Sequence, residues 1–204
     1  MDALPELLTM IAKGPTPEDP RAMEQRYLSF AVFDKLLKKS LDGVDQKLLQ
    51  KAIIAGLQNQ DGRSRSSIGN VYHKLSYEEI KPLLPAIHEA IKTPSPSGIM
   101  FASGVRLSGL EVLAKHRIKE GLPLCLDVME INEWGKAARI KRCLNALEKY
   151  GVAAKPLLPK IKQLEEDLKS HREAKMLKPH AVRVQKIIQS LENATGSVEL
   201  RSIR

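Results

Sequence analysis

Apolar residues recur at helical spacing along most of this chain, in units that open on a Leu-Pro step, and no other feature restricts the fold as much. In "VAAKPLLPKIKQLEEDL", Leu157, Ile161, Leu164 and Leu168 lie on one stripe of a helix. Upstream, "KAARIKRCLNALEKYG" sets Ile140, Cys143, Leu144 and Leu147 at i, i+3, i+4 and i+7, with Lys136, Arg139, Arg142 and Lys149 expected mostly outside that stripe. Gly151 follows where a helix end favours a residue free to take positive φ. So short a connection implies an antiparallel helix pair. The letters "KPLLP" also occur in "SYEEIKPLLPAIHEAI", where Ser76 and Glu79 have capping-box spacing and Leu84, Ile87 and Ile91 form the stripe. "GVRLSGLEVLAKHRIKEGLPLCLDVM" again reads helix, turn, helix.

The Leu-Pro steps place prolines at 5, 85, 123 and 159, at intervals of 80, 38 and 36. The first interval is two periods of about 40, within the range of repeat architectures. The amphipathic "SLDGVDQKLLQKAIIAGL" fills the vacant place near residue 45 without a proline. Proline costs little in the first turn of a helix, whose N–H groups have no internal acceptor, and kinks the axis deeper in. The leading "YEEIK" and "VAAK" therefore predict a bent or two-step entry into the second helix of each pair. Strand signals are nearly absent: the chain has 3 Phe, 4 Tyr and 1 Trp and no sustained alternation of β-branched residues. The expected fold is all-α, a right-handed α-solenoid of about four to five antiparallel helical hairpins over residues 1–170. A basic helix at 171–196 is expected to pack on or extend the array, and 197–204 to be a disordered tail.

On these residues the chain resembles HEAT repeats, in particular the short variety also found in phycobilisome-lyase-type arrays. "LNALEKYGVAAKPLLPKIKQL" matches that family's Ala/Leu-rich first helix, Tyr-Gly turn, short Ala-containing turn and Leu-Pro opening of a second helix. "YHKLSYEEIKPLLPAIHEAI" and "LEVLAKHRIKEGLPLCLDVM" are similar but looser. The resemblance covers roughly 3–170 and is strongest over 62–168. The Asp-Pro turn and Val-Arg pair usual before a first helix are approximated by "PEDPRAMEQR" and kept only in part by "TPSPSG" and "INEWGKAARIKR". Such a resemblance implies a scaffold used for many purposes rather than an activity. In its register Pro5 marks a second-type helix, so the chain is expected to begin halfway through a repeat and to end in "KPHAVRVQKIIQSLENATG". That pattern suits either a segment of a longer protein or an array capped by irregular end helices.

Composition narrows the setting. Apolar residues make up 43% and charged ones 28%, as in a globular chain, and apolar runs fall far short of the roughly 20 residues of a membrane span. Asp2 and Glu6 stand where a secretory leader would carry basic residues, so no leader and a cytoplasmic location are expected. Cys125 and Cys143 lack CxxC spacing and read as small apolar side chains on helix faces. Residues 135–204 hold 16 basic and 7 acidic side chains and residues 1–134 hold 17 of each, so the whole net charge of +9 lies in the last third.

No constellation commits to a reaction. His73, His88, His116, His171 and His180 show no HxxxH, HxH or HExxH spacing, so no metal is expected. His116 and Cys125 could meet across the turn of one helix pair, but a nucleophile also needs an oxyanion site and an orienting group that the sequence does not offer. "LDVMEINEWGK" spaces Asp127, Glu130 and Glu133 at i+3, read as a solvated acidic helix face with Trp134 tucked into the turn between repeats. "DGRSRSSIGN" sets Arg63, Ser64, Arg65, Ser66 and Ser67 at a helix start that can hold a phosphate, although Asp61 or Ser64 as an N-cap explains most of the pattern. "KTPSPSG" reads as an inter-repeat loop in which Ser95 and Ser97 are open to modification.

The resulting expectation is a non-enzymatic scaffold without cofactor, binding a protein partner through its second helices at Lys81, Glu89, Lys155, Lys160 and Lys162. The competing expectation is a nucleic-acid or other polyanion surface at Arg139, Arg142, Lys149, Arg172, Lys175 and Arg183. The interleaved aromatics of single-strand binders are missing, and no membrane contact is expected.

Overall fold

The structure, a computed structural model, describes residues 3–14, 41–59, 62–69, 71–93 and 99–204, with the side chains of 63 and 99–102 excepted. Arg63 as a side chain, Asp61, "PEDPRAMEQR", Ser95 and Ser97 therefore lie outside the described residues. The chain divides into two compact units, Met1–Gly109 and Leu110–Arg204.

In the first unit, α1 (Leu4–Lys13) carries Pro5 in its first turn and buries Leu4, Leu8 and Ile11. It packs on α2 (Gln46–Leu57), whose N-terminus is capped by Asp45 through the N–H groups of Lys47 at 2.9 Å and Leu48 at 3.1 Å. α3 (Gly62–Gly69) and a 3₁₀ turn (Tyr72–Lys74) follow. The entry predicted around "YEEIKPLLP" is two-step: α4 (Tyr77–Ile80), a 3₁₀ turn (Lys81–Leu83) holding Pro82, then α5 (Leu84–Lys92) with Pro85 in its first turn. The Ser76–Glu79 capping box forms, and Leu84, Ile87 and Ile91 are buried as their stripe requires.

α6 (Ile99–Lys115) contains the division between the units. The second unit continues through α7 (Gly121–Asp127), α8 (Lys136–Tyr150), a 3₁₀ turn (Gly151–Leu157) holding Pro156, α9 (Leu158–Ser170) and α10 (Ala174–Asn193). Gly151 ends α8 with φ 55°, as its sequence position suggests. α8 packs on α7 and α10, while α9 packs chiefly on α10. Gly121 is required where α7 begins: a Cβ there would lie 2.5 Å from the Tyr150 hydroxyl oxygen and 2.7 Å from Leu113 Cβ.

The described residues form no strand, and the all-α expectation holds. α10 begins at Ala174 and packs on α9 and α8 within the second unit. Two details differ from the sequence reading. The segment 197–204 is not a loose tail: Arg201 pairs with Ile118 in an isolated parallel bridge. Lys136 and Arg139 are buried, with 8% and 5% of their surface exposed. The stripe on α8 is wider than one row because Arg139, Cys143, Ala146 and Tyr150 are buried beside Ile140, Leu144 and Leu147.

An arginine recurs in one role. Arg65 donates to the carbonyls of Asn59 and Thr93, Arg106 to that of Ile91, and Arg139 to those of Met129, Glu130 and Trp134. Arg65 and Arg106 close carbonyls at or just after the ends of α2 and α5, groups that have no intrahelical partner of their own, and Arg139 closes those of the loop that follows α7.

Candidate functional site

The most strongly built exposed feature is the loop 128–135 that joins α7 to α8. Val128 and Met129 are buried, and Glu130 then takes a left-handed φ of 43° that turns the chain outward. Arg139 reaches back from the first turn of α8 and spans the loop: Nε meets the Met129 carbonyl at 3.0 Å, Nη2 the Glu130 carbonyl at 2.9 Å and Nη1 the Trp134 carbonyl at 3.1 Å. The Glu130 carboxylate lies 3.7 Å from Nε and balances the charge. A planar fork of donors suits three carbonyls in a way that a single ammonium does not. Lys136 ties the same region to the start of α10 through Glu173 at 2.5 Å, which holds the Glu173 carboxyl below the ordinary carboxylate range.

On this fixed loop Trp134 is 89% exposed, against the expectation that it tucks into the turn. A groove of about 500 Å³ is lined by Ile131 and Asn132 of the same loop together with Asp167, Ser170, His171 and Arg172. His171 is oriented by the Glu173 N–H, which donates to its Nδ1 at 2.9 Å, and its Nε2 is enclosed without a hydrogen-bond partner. An exposed indole on a rigid backbone is the kind of side chain that concentrates binding energy at protein interfaces.

The acidic trio does not share a helix face. Asp127 ends α7, while Glu130 and Glu133 lie in the loop; Asp127 and Glu133 are exposed and Glu130 belongs to the Arg139 clamp. Cys125 and Cys143 are both buried and free, and burial pushes the Cys125 thiol well up. Arg65, part of the phosphate candidate, is buried among the carbonyls of Asn59 and Thr93. No group of three or more His, Cys, Asp or Glu able to hold a metal occurs among the described residues, and no described helix is long and apolar enough to cross a membrane.

The polyanion candidates separate. Arg139 is buried in the clamp, a correction to its reading as a surface cation. Arg142 is held bidentately by Glu111 at 2.6 and 2.8 Å, and Arg183 by Glu148 at 2.8 and 2.6 Å with Asn145 at 2.7 Å. Both carboxylate partners raise the guanidinium pKa. Lys149, Arg172 and Lys175 are exposed.

The second-helix candidates lie in different units. Lys81 and Glu89 are exposed in the first, where Glu89 accepts from the Thr93 hydroxyl at 2.5 Å. In the second, Lys160 is exposed, but Lys155 donates to the Ala194 carbonyl at 2.9 Å and Lys162 pairs with Glu192 at 2.7 Å, so both fasten the far end of α10. The groove escaped the sequence reading, because Ile131 and Asn132 come together with His171 and Arg172 only through packing. Searches against models of protein families, curated proteins and solved structures find no match to this chain.

Proposed function

We infer that this chain is a protein-interaction module, a short right-handed solenoid of HEAT-like helical hairpins, and that it binds a protein partner through loop 128–135 and the adjoining groove. The observation that carries this reading is Trp134, left 89% exposed on a loop whose backbone is fixed by a buried arginine. Ordering costs are then met before binding, so burial of the indole goes into affinity. The spaced Leu-Pro steps and the recurring carbonyl-capping arginines support the repeat architecture. Two free buried cysteines suit a reducing compartment such as the cytoplasm.

The test compares the full chain with Trp134→Ala in quantitative affinity capture from the native cell extract. Expected is a defined partner that the variant retains at least tenfold less well, while an exposed control, Lys51→Ala, retains it fully. Equal capture by both variants would reject the loop as the contact. Titration with random duplex DNA tests the polyanion reading: steeply salt-dependent binding, weakened by charge reversal at Lys175 and Lys178, would replace the protein-partner reading.

A further inference from the structure

The turn 116–120 between α6 and α7 is fixed from within. Ile118 is fully buried, its N–H donates to the Leu113 carbonyl at 2.8 Å, and its own carbonyl accepts from the Tyr150 hydroxyl at 2.8 Å. Arg117 before it holds a left-handed φ of 53°. With residue 118 committed inward, the Arg117 carbonyl and the Lys119 N–H stand two residues apart as an acceptor and a donor, the spacing at which one strand addresses a parallel neighbour. Arg201 takes both: its N–H donates to the Arg117 carbonyl at 3.0 Å and its carbonyl accepts from the Lys119 N–H at 2.8 Å. Glu120 extends the contact, its carboxylate accepting from the Ser202 hydroxyl at 2.7 Å and from the Ile203 N–H at 3.2 Å. A three-residue extended segment is thus read by backbone and by one carboxylate that asks for a hydroxyl. Glu199 lines a hollow with Lys115, His116, Arg117 and Arg201 of its own segment.

We propose that the turn 116–120 is a recognition strip for an extended segment of a partner chain that carries a serine or threonine one residue after the residue paired with Ile118. Segment 197–204 holds the strip in cis. The seated segment defines the partner's chemistry, since strand addition takes its affinity from main-chain bonds and its selectivity from the side chains between them. A short tether gives the cis segment a high effective concentration, so a partner engages when that segment is displaced. The proposal is independent of the Trp134 reading.

The test uses the isotope-labelled full chain and the synthetic peptide SVELRSIR. Ser202→Glu sets like charges against Glu120 and opens the strip. Expected is saturable binding of the peptide to this variant, at least tenfold tighter than to the parent chain, with protection of the Lys119 amide. Adding Glu120→Gln, or replacing the peptide's serine by alanine, weakens binding at least tenfold. No saturable binding up to about 2 mM, or binding indifferent to Glu120→Gln, overturns the proposal; about 2 mM corresponds to the weakest affinity that a few hydrogen bonds deliver. If Ser202→Glu loses its native Trp134 emission, the parent chain serves: excess peptide must speed exchange at the Arg201 and Ile203 amides while Lys119 stays protected, and unchanged exchange rejects the proposal. Concentration-dependent dimers abolished by Glu120→Gln would assign the strip to a second copy and overturn the partner reading.

Discussion

Replacing Arg139 by methionine keeps much of its volume and removes the only fork that joins the carbonyls of Met129, Glu130 and Trp134. Buried acceptors left without a donor cost about 1–3 kcal/mol each at most, so a loss of about 2–4 kcal/mol is expected in urea unfolding. Lysine should recover little of it. Trp134 is the single tryptophan, and its emission anisotropy should fall in Arg139→Met as the loop loosens. A variant with unchanged urea midpoint and anisotropy would show that the clamp does not hold the loop. Gly121→Ala is a packing counterpart: the added methyl meets the Tyr150 hydroxyl at 2.5 Å and Leu113 Cβ at 2.7 Å, and overpacking of this kind costs about 1–3 kcal/mol. A thermal midpoint equal to the parent's would mean that α7 shifts without penalty. Neither residue announces its role in sequence. Arg139 lies beside the apolar stripe, and only a helix packed on two sides makes that flank interior.

At the level of elements, the prolines divide by position. Pro159 sits in the first turn of α9, where its missing N–H has no intrahelical acceptor to lose, so Pro159→Ala should change stability by less than about 1 kcal/mol. Pro179 lies inside α10 and removes a bond from the ladder, so Pro179→Ala should stabilise by about 1–2 kcal/mol. Paired denaturation curves check the contrast, and equal effects at both sites would defeat it. The two-step entries around Pro82 and Pro156 were legible because a proline and an apolar stripe within one segment fix where each helix can start. The loop between Asp127 and Lys136 was not: "LDVMEINEWGK" has helical spacing, yet a left-handed Glu130 and the reach of Arg139 break it.

For the molecule as a whole, the basic excess is partly spent inside. Arg139, Arg142, Arg183, Lys136, Lys155 and Lys162 serve carbonyls and carboxylates, while Lys141, Lys149, Lys160, Arg172, Lys175, Lys178 and Lys186 are among the exposed cations. His116 and His180 are held below the ordinary histidine value of 6.5, first by burial and then by Lys115 and Arg201 for the former and Arg183 and Lys141 for the latter. The unfolded chain therefore takes up these protons at higher pH than the folded one. Stability should fall as pH drops through about 6.5 toward the folded values, and that loss persists at lower pH. Glu79, bonded to Ser76, and Glu173, bonded to Lys136, are held below 4.5; the stabilisation they give above that pH is lost as pH falls through their folded values. Thermal midpoints should accordingly decline in two stages between pH 8 and about 3.5, with the first stage removed in the double variant His116→Gln, His180→Gln. Midpoints flat from pH 7.5 to 5.5 would contradict the histidine assignment.

Periodicity alone determined that the described residues are helical, where α2, α5, α8 and α9 lie, and most of the apolar stripe that α5, α8 and α9 bury, Leu157 being left half-buried in the turn before α9, because an amphipathic helix needs only its own spacing to declare its inner face. It also set the capping box at Ser76 and the left-handed end at Gly151, which depend on neighbours in sequence. Only the tertiary structure decided that Arg139 is interior, that Trp134 is left outside, and that segment 197–204 folds back onto 117–120. Those outcomes turn on long side chains and backbone groups meeting partners beyond their own helix, as Arg139 meets Met129 across 10 positions and Ile203 meets Glu120 across 83, and no local periodicity encodes such a meeting.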